Sequence, residues 1–180
     1  MEKLFNFLDD DIYRLMLDMS REKHSQEENQ DIKERYRKVN QKKLFVVCRE
    51  HELHGVAGAY AKSMGLPIPD EWEKAFLLEK RRLDFLKKTA IQVCQLMSDH
   101  GIPMVILKNG GIMIDMIPET IKCPMEDIDS LIKKTDFYQA HKLLIENGFT
   151  FKFRSEYEAE KLEEAYRDGS TEYFLSLIHI

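Results

Sequence analysis

Residues 123–134 read CPMEDIDSLIKK, and this stretch decides how the second half of the chain is interpreted. The run EDIDSLIK predicts a strand, although aspartate is depleted in strands. Because side chains alternate across a strand, Asp127 and Asp129 would share one face, with Ile128 and Ile132 on the other. At a rise of roughly 3.3 Å per residue, the two carboxylates would lie about 7 Å apart, and both could bind hard cations. The alternative is a strand that ends early, with both aspartates solvated in a loop.

The preceding stretch, GIPMVILKNGG at residues 101–111, predicts a strand followed by a glycine turn. IPMVIL is a short, continuous apolar run, which is typical of a buried strand. Backbone N–H groups in a glycine turn can hold phosphate oxygens, and a lysine adds a positive charge. The residues of this candidate site are Lys108, Asn109, Gly110 and Gly111. The spacing does not fit a Walker A loop, so a plain strand-to-helix turn remains open as the alternative.

The remaining segments after residue 111 predict a small α/β core. IMIDMI predicts a short helix closed by Pro118, and TDFYQAHKLLIENG predicts an amphipathic helix that ends at Gly148. FTFKF predicts a third strand, SEYEAEKLEEAYRDGS a helix or loop, and TEYFLSLI a last strand that carries Glu172. The Glu172 carboxylate could complete a metal site or accept the proton of an attacking hydroxyl. The alternative is an exposed glutamate on a strand.

The first hundred residues predict helices, starting with NFLDDDIYRLMLDM. Its apolar residues at helical spacing are Phe7, Ile12, Leu15 and Met16. Asp70 is predicted as the N-cap of a long helix, with Glu73 three residues later as in a capping box, and Gly101 is predicted as the stop of that helix. The residues predicted for its buried stripe are Phe76, Leu77, Phe85, Leu86, Ile91 and Leu96. The fold class is therefore α+β, with a helical region at 1–100 and an α/β core at 101–180.

Composition excludes several classes of protein. The 180 residues are 43% hydrophobic and 33% charged, which suits a globular protein with a core. A net charge of −5 gives no strong nucleic-acid signal, and no stretch approaches the roughly 18 apolar residues of a membrane span. The three cysteines form no CxxC pair, which favours reduced thiols and a cytoplasmic protein.

An ordered set of motifs resembles a known superfamily. GIPMVILKNGG, CPMEDIDSLI and AHKLLIENGF follow one another as they do in nucleotidyltransferases of the polymerase-β type. The helical lead-in REHELHGVAGAYAKSMG also resembles the region before the core in a poorly characterised bacterial family of that superfamily. The resemblance covers residues 44–174.

This resemblance implies a minimal mixed sheet flanked by helices, and transfer of a nucleoside monophosphate from an NTP such as ATP to an acceptor hydroxyl. It further implies Mg²⁺ in a two-metal site. By carry-over, Asp127 and Asp129 match the metal carboxylates, and Glu172 falls where a third acid is expected. Lys108 and the glycines after it match the turn that binds the triphosphate.

A non-catalytic binding module with the same fold is the alternative function. Cys123 stands where the family has an arginine, and Glu126 replaces a small residue and adds negative charge. The chain ends at SLIHI, within or directly after a predicted strand, which favours a core truncated at its C-terminus. Such a module would bind a partner through the N-terminal helices, and the two aspartates would be dispensable. A third alternative is a helical domain with a small sheet and no site.

Overall fold

The structure, a computed structural model, describes residues 11–117, 119–152 and 158–175. Helices dominate the first hundred residues, and short strands alternate with helices after them. In chain order the elements are α1 (Asp11–Met19), α2 (Gln26–Lys38), α3 (Gln41–Glu50), α4 (His54–Ser63), α5 (Asp70–Asp99), β1 (Met104–Ile106), α6 (Lys108–Asp115), β2 (Ser130–Ile132), α7 (Phe137–Glu146), β3 (Phe149–Lys152), α8 (Glu158–Asp168) and β4 (Glu172–Leu175).

The chain divides into two compact units that do not follow the linear order of the sequence. The first comprises Met1–Lys87 and Ile112–Asp127, and the second Lys88–Gly111 and Ile128–Ile180. The segment between β1 and β2 is therefore shared, with Ile112–Asp127 belonging to the helical unit. The boundary near residue 100 stays a prediction, and the compact units divide the chain differently.

The core of the first unit is formed by helices α1 to α5. Trp72 is fully buried, stacks on Phe45 with ring centroids 5.6 Å apart, and donates its indole N–H to the His54 carbonyl at 2.8 Å. The predicted apolar face of α1 is confirmed, since its buried residues include Ile12, Leu15 and Met16; Phe7 lies outside the described residues. Helix α2 begins with a capping box, in which Ser25 and Glu28 each accept the other's backbone N–H.

Helix α5 ends near the predicted stop but begins one residue earlier than predicted. Asp70 is its first residue rather than its N-cap, since the Glu73 N–H donates to the Pro69 carbonyl at 3.0 Å, and Gly101 with φ 71° follows the end of the helix. The buried stripe was predicted only in part, because Leu77 and Ile91 are 42% and 48% exposed. The residues that are buried are Trp72, Phe76, Leu83, Ala90 and Met97. From Phe76 onward they repeat every seven residues, so the stripe is narrower than predicted.

The second unit has a separate, smaller core. Its buried residues are Met97, Ile102, Ala140, Leu143 and Leu144. Helix α7 contributes its predicted apolar face to this core, which confirms the amphipathic pattern. Gly148 ends the helix with φ 85°, a conformation that favours glycine.

The described strands form two antiparallel pairs rather than the mixed sheet that the resemblance implied. Met104, Val105 and Ile106 of β1 oppose Ile132, Leu131 and Ser130 of β2, and β3 pairs with β4. Strand β1 was predicted to be buried, but its central residue Val105 is 59% exposed. A pair of strands has fewer neighbours than a larger sheet, so one of its faces can stay in solvent.

The α+β class with N-terminal helices is confirmed. Several predicted residues lie outside the described ranges, namely Pro118, Phe153 and the end of the last strand from residue 176. Within the described ranges, no helix combines the length and apolarity that crossing a membrane requires.

Two leucines of α5 differ in burial, and replacing each of them tests which face of the helix packs in the core of the first unit. Leu83 is fully buried and Leu78 is 71% exposed on the same helix. We expect Leu83→Ala to lower the free energy of unfolding by about 3–5 kcal/mol, because it leaves a cavity. Leu78→Ala should change it by less than about 0.5 kcal/mol. Urea unfolding followed by the fluorescence of the sole tryptophan measures both, and equal losses would contradict the assignment of the core.

Candidate functional site

The end of the β1–β2 pair brings a lysine and an aspartate together in the second unit. In an antiparallel pair, the end of one strand lies beside the start of the other. The Leu107 N–H donates to the Asp129 carbonyl at 2.8 Å, so the ladder extends one residue beyond the strands. The next residue, Lys108, places its Nζ 2.6 Å from Oδ2 of Asp129. The sequence predicted both residues for the site, and the structure shows them in direct contact.

The aspartates themselves precede strand β2, which corrects the sequence prediction. The strand begins only at Ser130, Asp127 lies in a bend, and Asp129 lies in the extended residues just before the strand. The strand is short because β1 offers it only three partners. Alternation along a strand therefore does not place the two carboxylates on one face, as was predicted. Asp127 belongs to the first unit and Asp129 to the second.

The predicted glycine turn is the first turn of helix α6, which begins at Lys108. Lys108 has φ 50°, a left-handed conformation that is rare outside glycine, and it makes the sharp bend from β1 into the helix. Gly110 is buried. A Cβ on Gly111 would lie 3.1 Å from the Ile106 carbonyl oxygen, so this glycine permits close packing of the helix on the strand. The glycine signal in the sequence thus reflects packing as well as turn geometry.

Glu172 lies on the β3–β4 pair, whereas Asp129 directly precedes a strand of the β1–β2 pair. It is an exposed residue at the start of β4, and its backbone is paired with Lys152 of β3. Among the described residues, no three His, Cys, Asp or Glu side chains are grouped so that they could hold a metal ion. The roles of Asp127, Asp129 and Glu172 as metal ligands stay predictions.

Side chains of α5 hold the segment Ile112–Asp127 within the first unit. Lys87 Nζ donates to the carbonyls of Met113 and Ile117 at 2.7 and 3.2 Å, near the end of α6. The buried Thr120 hydroxyl donates to Asp84. Burial opposes ionisation of Asp84, but hydrogen bonds from Lys80 and Thr120 outweigh it and lower the pKa of this carboxyl.

A third contact from α5 reaches the residues directly before Asp127. Arg82 Nη2 donates to the Met125 carbonyl at 2.5 Å, and Arg82 Nη1 donates to the Glu126 carbonyl at 3.3 Å. Arg82 could not be identified from the sequence, because an arginine within a charged helix is typical of a solvated face. Only the tertiary structure shows which carbonyls it meets.

Cys123, which replaces the arginine expected from the resemblance, is a core residue in the structure. Its side chain is 4% exposed, and burial raises the pKa of its thiol. A buried neutral thiol is a poor nucleophile. The three cysteines Cys48, Cys94 and Cys123 form no disulfide bond.

The described residues form an α+β protein. At one end of its β1–β2 pair, Lys108 at the start of α6 contacts Asp129, which precedes β2. The family model described as "Uncharacterised nucleotidyltransferase" matches residues 37–177. The chain therefore belongs to this nucleotidyltransferase family. The match includes helices α3, α4 and α5 as well as the segments after them. No curated protein and no solved structure matches the chain significantly.

The left-handed conformation of Lys108 generates a stability prediction. We expect Lys108→Gly to be more stable than Lys108→Ala by about 1 kcal/mol, because glycine adopts a positive φ without the penalty that a Cβ brings. Both variants lose the ion pair with Asp129. Because the Lys108 side chain is 75% exposed, this ion pair should contribute little to stability. Thermal and urea unfolding of the two variants measure the difference.

The neighbouring residue provides the control, since Asn109 lies in the same turn without a positive φ. There the order should reverse, and Asn109→Ala should be more stable than Asn109→Gly by up to about 1 kcal/mol. The same order at both positions would contradict a strained backbone at Lys108.

Proposed function

We propose that the chain is an Mg²⁺-dependent nucleotidyltransferase that moves a nucleoside monophosphate from an NTP to an acceptor hydroxyl. The observation that carries the proposal is membership of the nucleotidyltransferase family over residues 37–177. The contact between Lys108 and Asp129 supports it, because both residues were predicted for the site and they meet at 2.6 Å. In the proposed step, the acceptor oxygen forms a bond to the α-phosphorus. The bond from that phosphorus to the bridging oxygen breaks, and pyrophosphate leaves.

In this proposal, Lys108 binds the triphosphate together with the first turn of α6. N–H groups at a helix start are suited to anions, because they point outward and the helix dipole favours negative charge. Asn109 is exposed in this turn, while Gly110 is buried and Gly111 packs against the Ile106 carbonyl. The Lys108 ammonium is 75% exposed, so it can leave Asp129 for a phosphate oxygen at little cost.

Asp127 and Asp129 are the proposed ligands of Mg²⁺. Their chemistry fits, since Mg²⁺ prefers carboxylate oxygens and needs only one or two of them beside the phosphates of the substrate. Asp127 is exposed and the Asp129 side chain is 37% exposed, so both can meet a hydrated ion. The bound ion would neutralise charge that builds up on the phosphates. Glu172 is the proposed acceptor of the hydroxyl proton.

One observation favours the non-catalytic alternative, a binding module with the same fold. Lys108 neutralises Asp129, and the described carboxylates do not form a group of three around one point. In that case the ion pair is structural, and the aspartates have no role with a nucleotide. The test of the proposed function separates the two, because only the enzyme requires metal-dependent binding of an NTP.

Removing both carboxylate charges tests the proposal. We expect the double variant Asp127→Asn with Asp129→Asn to lose Mg²⁺-dependent NTP binding, with Kd raised at least about a hundredfold, because two ligands of one ion are removed. Calorimetric titration of each of the four NTPs, with Mg²⁺ and with EDTA, measures the effect.

The matched control is Asp99→Asn with Glu146→Gln, two exposed positions on α5 and α7. It changes the net charge by the same amount and should leave NTP binding unchanged. A wild-type chain that binds none of the four NTPs in a metal-dependent way would refute the proposed function. Equal binding by wild type and the double aspartate variant would refute the assigned site.

A further inference from the structure

Arg82 of α5 donates hydrogen bonds both to a side-chain carboxylate and to backbone carbonyls that are remote in sequence. Its Nε and Nη2 donate to the two carboxylate oxygens of Glu79 at 3.0 and 2.7 Å, one turn earlier on α5. The Glu79 side chain is only 17% exposed and the Arg82 side chain 34% exposed, so this forked pair is partly shielded from water. The glutamate therefore holds the guanidinium plane in one orientation.

The remaining donors of the same guanidinium point at the backbone before Asp127. They reach the carbonyls of Met125 and Glu126, two successive residues. Binding two successive carbonyls restricts rotation of the peptide between them. Met125 also packs against the first core, so its side chain and its carbonyl are both held. Asp127 is the next residue after this anchored pair.

The rest of the segment is fixed to the same unit over its length. Lys87 binds carbonyls near the end of α6, and Thr120 binds Asp84. Ile121 is buried against Gly55, where a Cβ would lie 2.9 Å from the Ile121 Cδ1. These contacts explain why the segment packs on the helical unit. Of these contacts to the segment, the one from Arg82 reaches the residue directly before Asp127.

The charge of Arg82 also bears on Glu126, the residue that adds a negative charge beside the proposed metal ligands. The hydrogen bonds that Arg82 donates to Glu79 raise the pKa of Arg82, and Glu126 adds to this by its negative charge. The interaction is mutual, so the arginine offsets charge from Glu126 as well as holding its carbonyl. An alanine at position 82 would provide neither effect.

We propose that Arg82, oriented by Glu79, is a positioning residue that fixes the backbone on which Asp127 is presented to the metal ion. It acts through the carbonyls of Met125 and Glu126, and it touches neither substrate nor metal. This inference rests on the proposed function, since it gives Asp127 a metal to bind. It assigns a role to helix α5, which provides both Glu79 and Arg82.

The test measures Mn²⁺ binding by the loss of the electron paramagnetic resonance signal of the free ion. Wild type and the double aspartate variant define the part of the binding that depends on the site. We expect Arg82→Ala and Arg82→Lys to weaken that part by about tenfold or more, in the range found for residues that orient metal ligands. The lysine variant keeps the positive charge but lacks the planar guanidinium. It provides a second test in case the alanine variant does not fold.

Two control variants separate positioning from general destabilisation. Arg81→Ala removes an exposed arginine from the adjacent position of α5 and should leave Mn²⁺ affinity unchanged. Thr120→Val removes a buried hydrogen bond from the same segment, seven residues before Asp127, and should lower stability without lowering Mn²⁺ affinity. Hydrogen exchange supplies a readout without metal: amides of residues 126–128 should exchange about tenfold faster in Arg82→Ala than in either control.

The outcomes distinguish this inference from the proposed function. Absence of site-dependent Mn²⁺ binding in wild type would overturn the proposed function, and the inference would fall with it. Site-dependent binding that is unchanged in both Arg82 variants would overturn the inference and leave the proposed function in place. An equal loss of affinity in Thr120→Val would also overturn it, because the effect would then belong to the whole segment.

Discussion

The antiparallel pairing of β1 with β2 is the constraint on which the candidate site depends. Its register opposes Ile106 to Ser130, and one further hydrogen bond joins Leu107 to Asp129. This register places Lys108 beside Asp129, although twenty residues separate them in sequence. A slip by one residue would turn the side chains of the strand to the other face and break the contact. Two short strands are marginal by themselves, so the core of the second unit, on which Met104 and Ile132 pack, has to maintain this register.

The helices could be predicted from the sequence because the signals that define them are local. Apolar spacing located α1, α5 and α7, and the glycines at 101 and 148 take up the positive φ angles that end two of them. The width of the α5 stripe could not be predicted, because a helix that is mostly exposed buries only the side chains that meet a neighbour. Leu77 and Leu83 are equally apolar, but only Leu83 meets the core.

The strands and the glycine turn were less predictable for a related reason. Pairing decides where a strand begins, and its partner is remote in sequence, so DIDSLI could not show that the strand starts only at Ser130. Lys108, Gly110 and Gly111 were predicted to form a phosphate-binding turn, and in the structure they lie in the first turn of α6. Their role in starting a helix against β1 depends on the approach of Gly111 to the Ile106 carbonyl, which is a tertiary contact. The role of Arg82 could not be predicted from the sequence, because the partners that matter are the backbone carbonyls of Met125 and Glu126, and every residue has such a carbonyl.

The central proposal is that Asp127 and Asp129 bind a divalent ion together with an NTP. The most direct measurement is anomalous diffraction from Mn²⁺ in a crystal grown with a non-hydrolysable NTP analogue. The account predicts an anomalous peak about 2.1 Å from oxygens of both carboxylates, with the triphosphate near Lys108. A bound analogue whose Mn²⁺ peak lies away from both aspartates, with Lys108 still paired to Asp129, would contradict it.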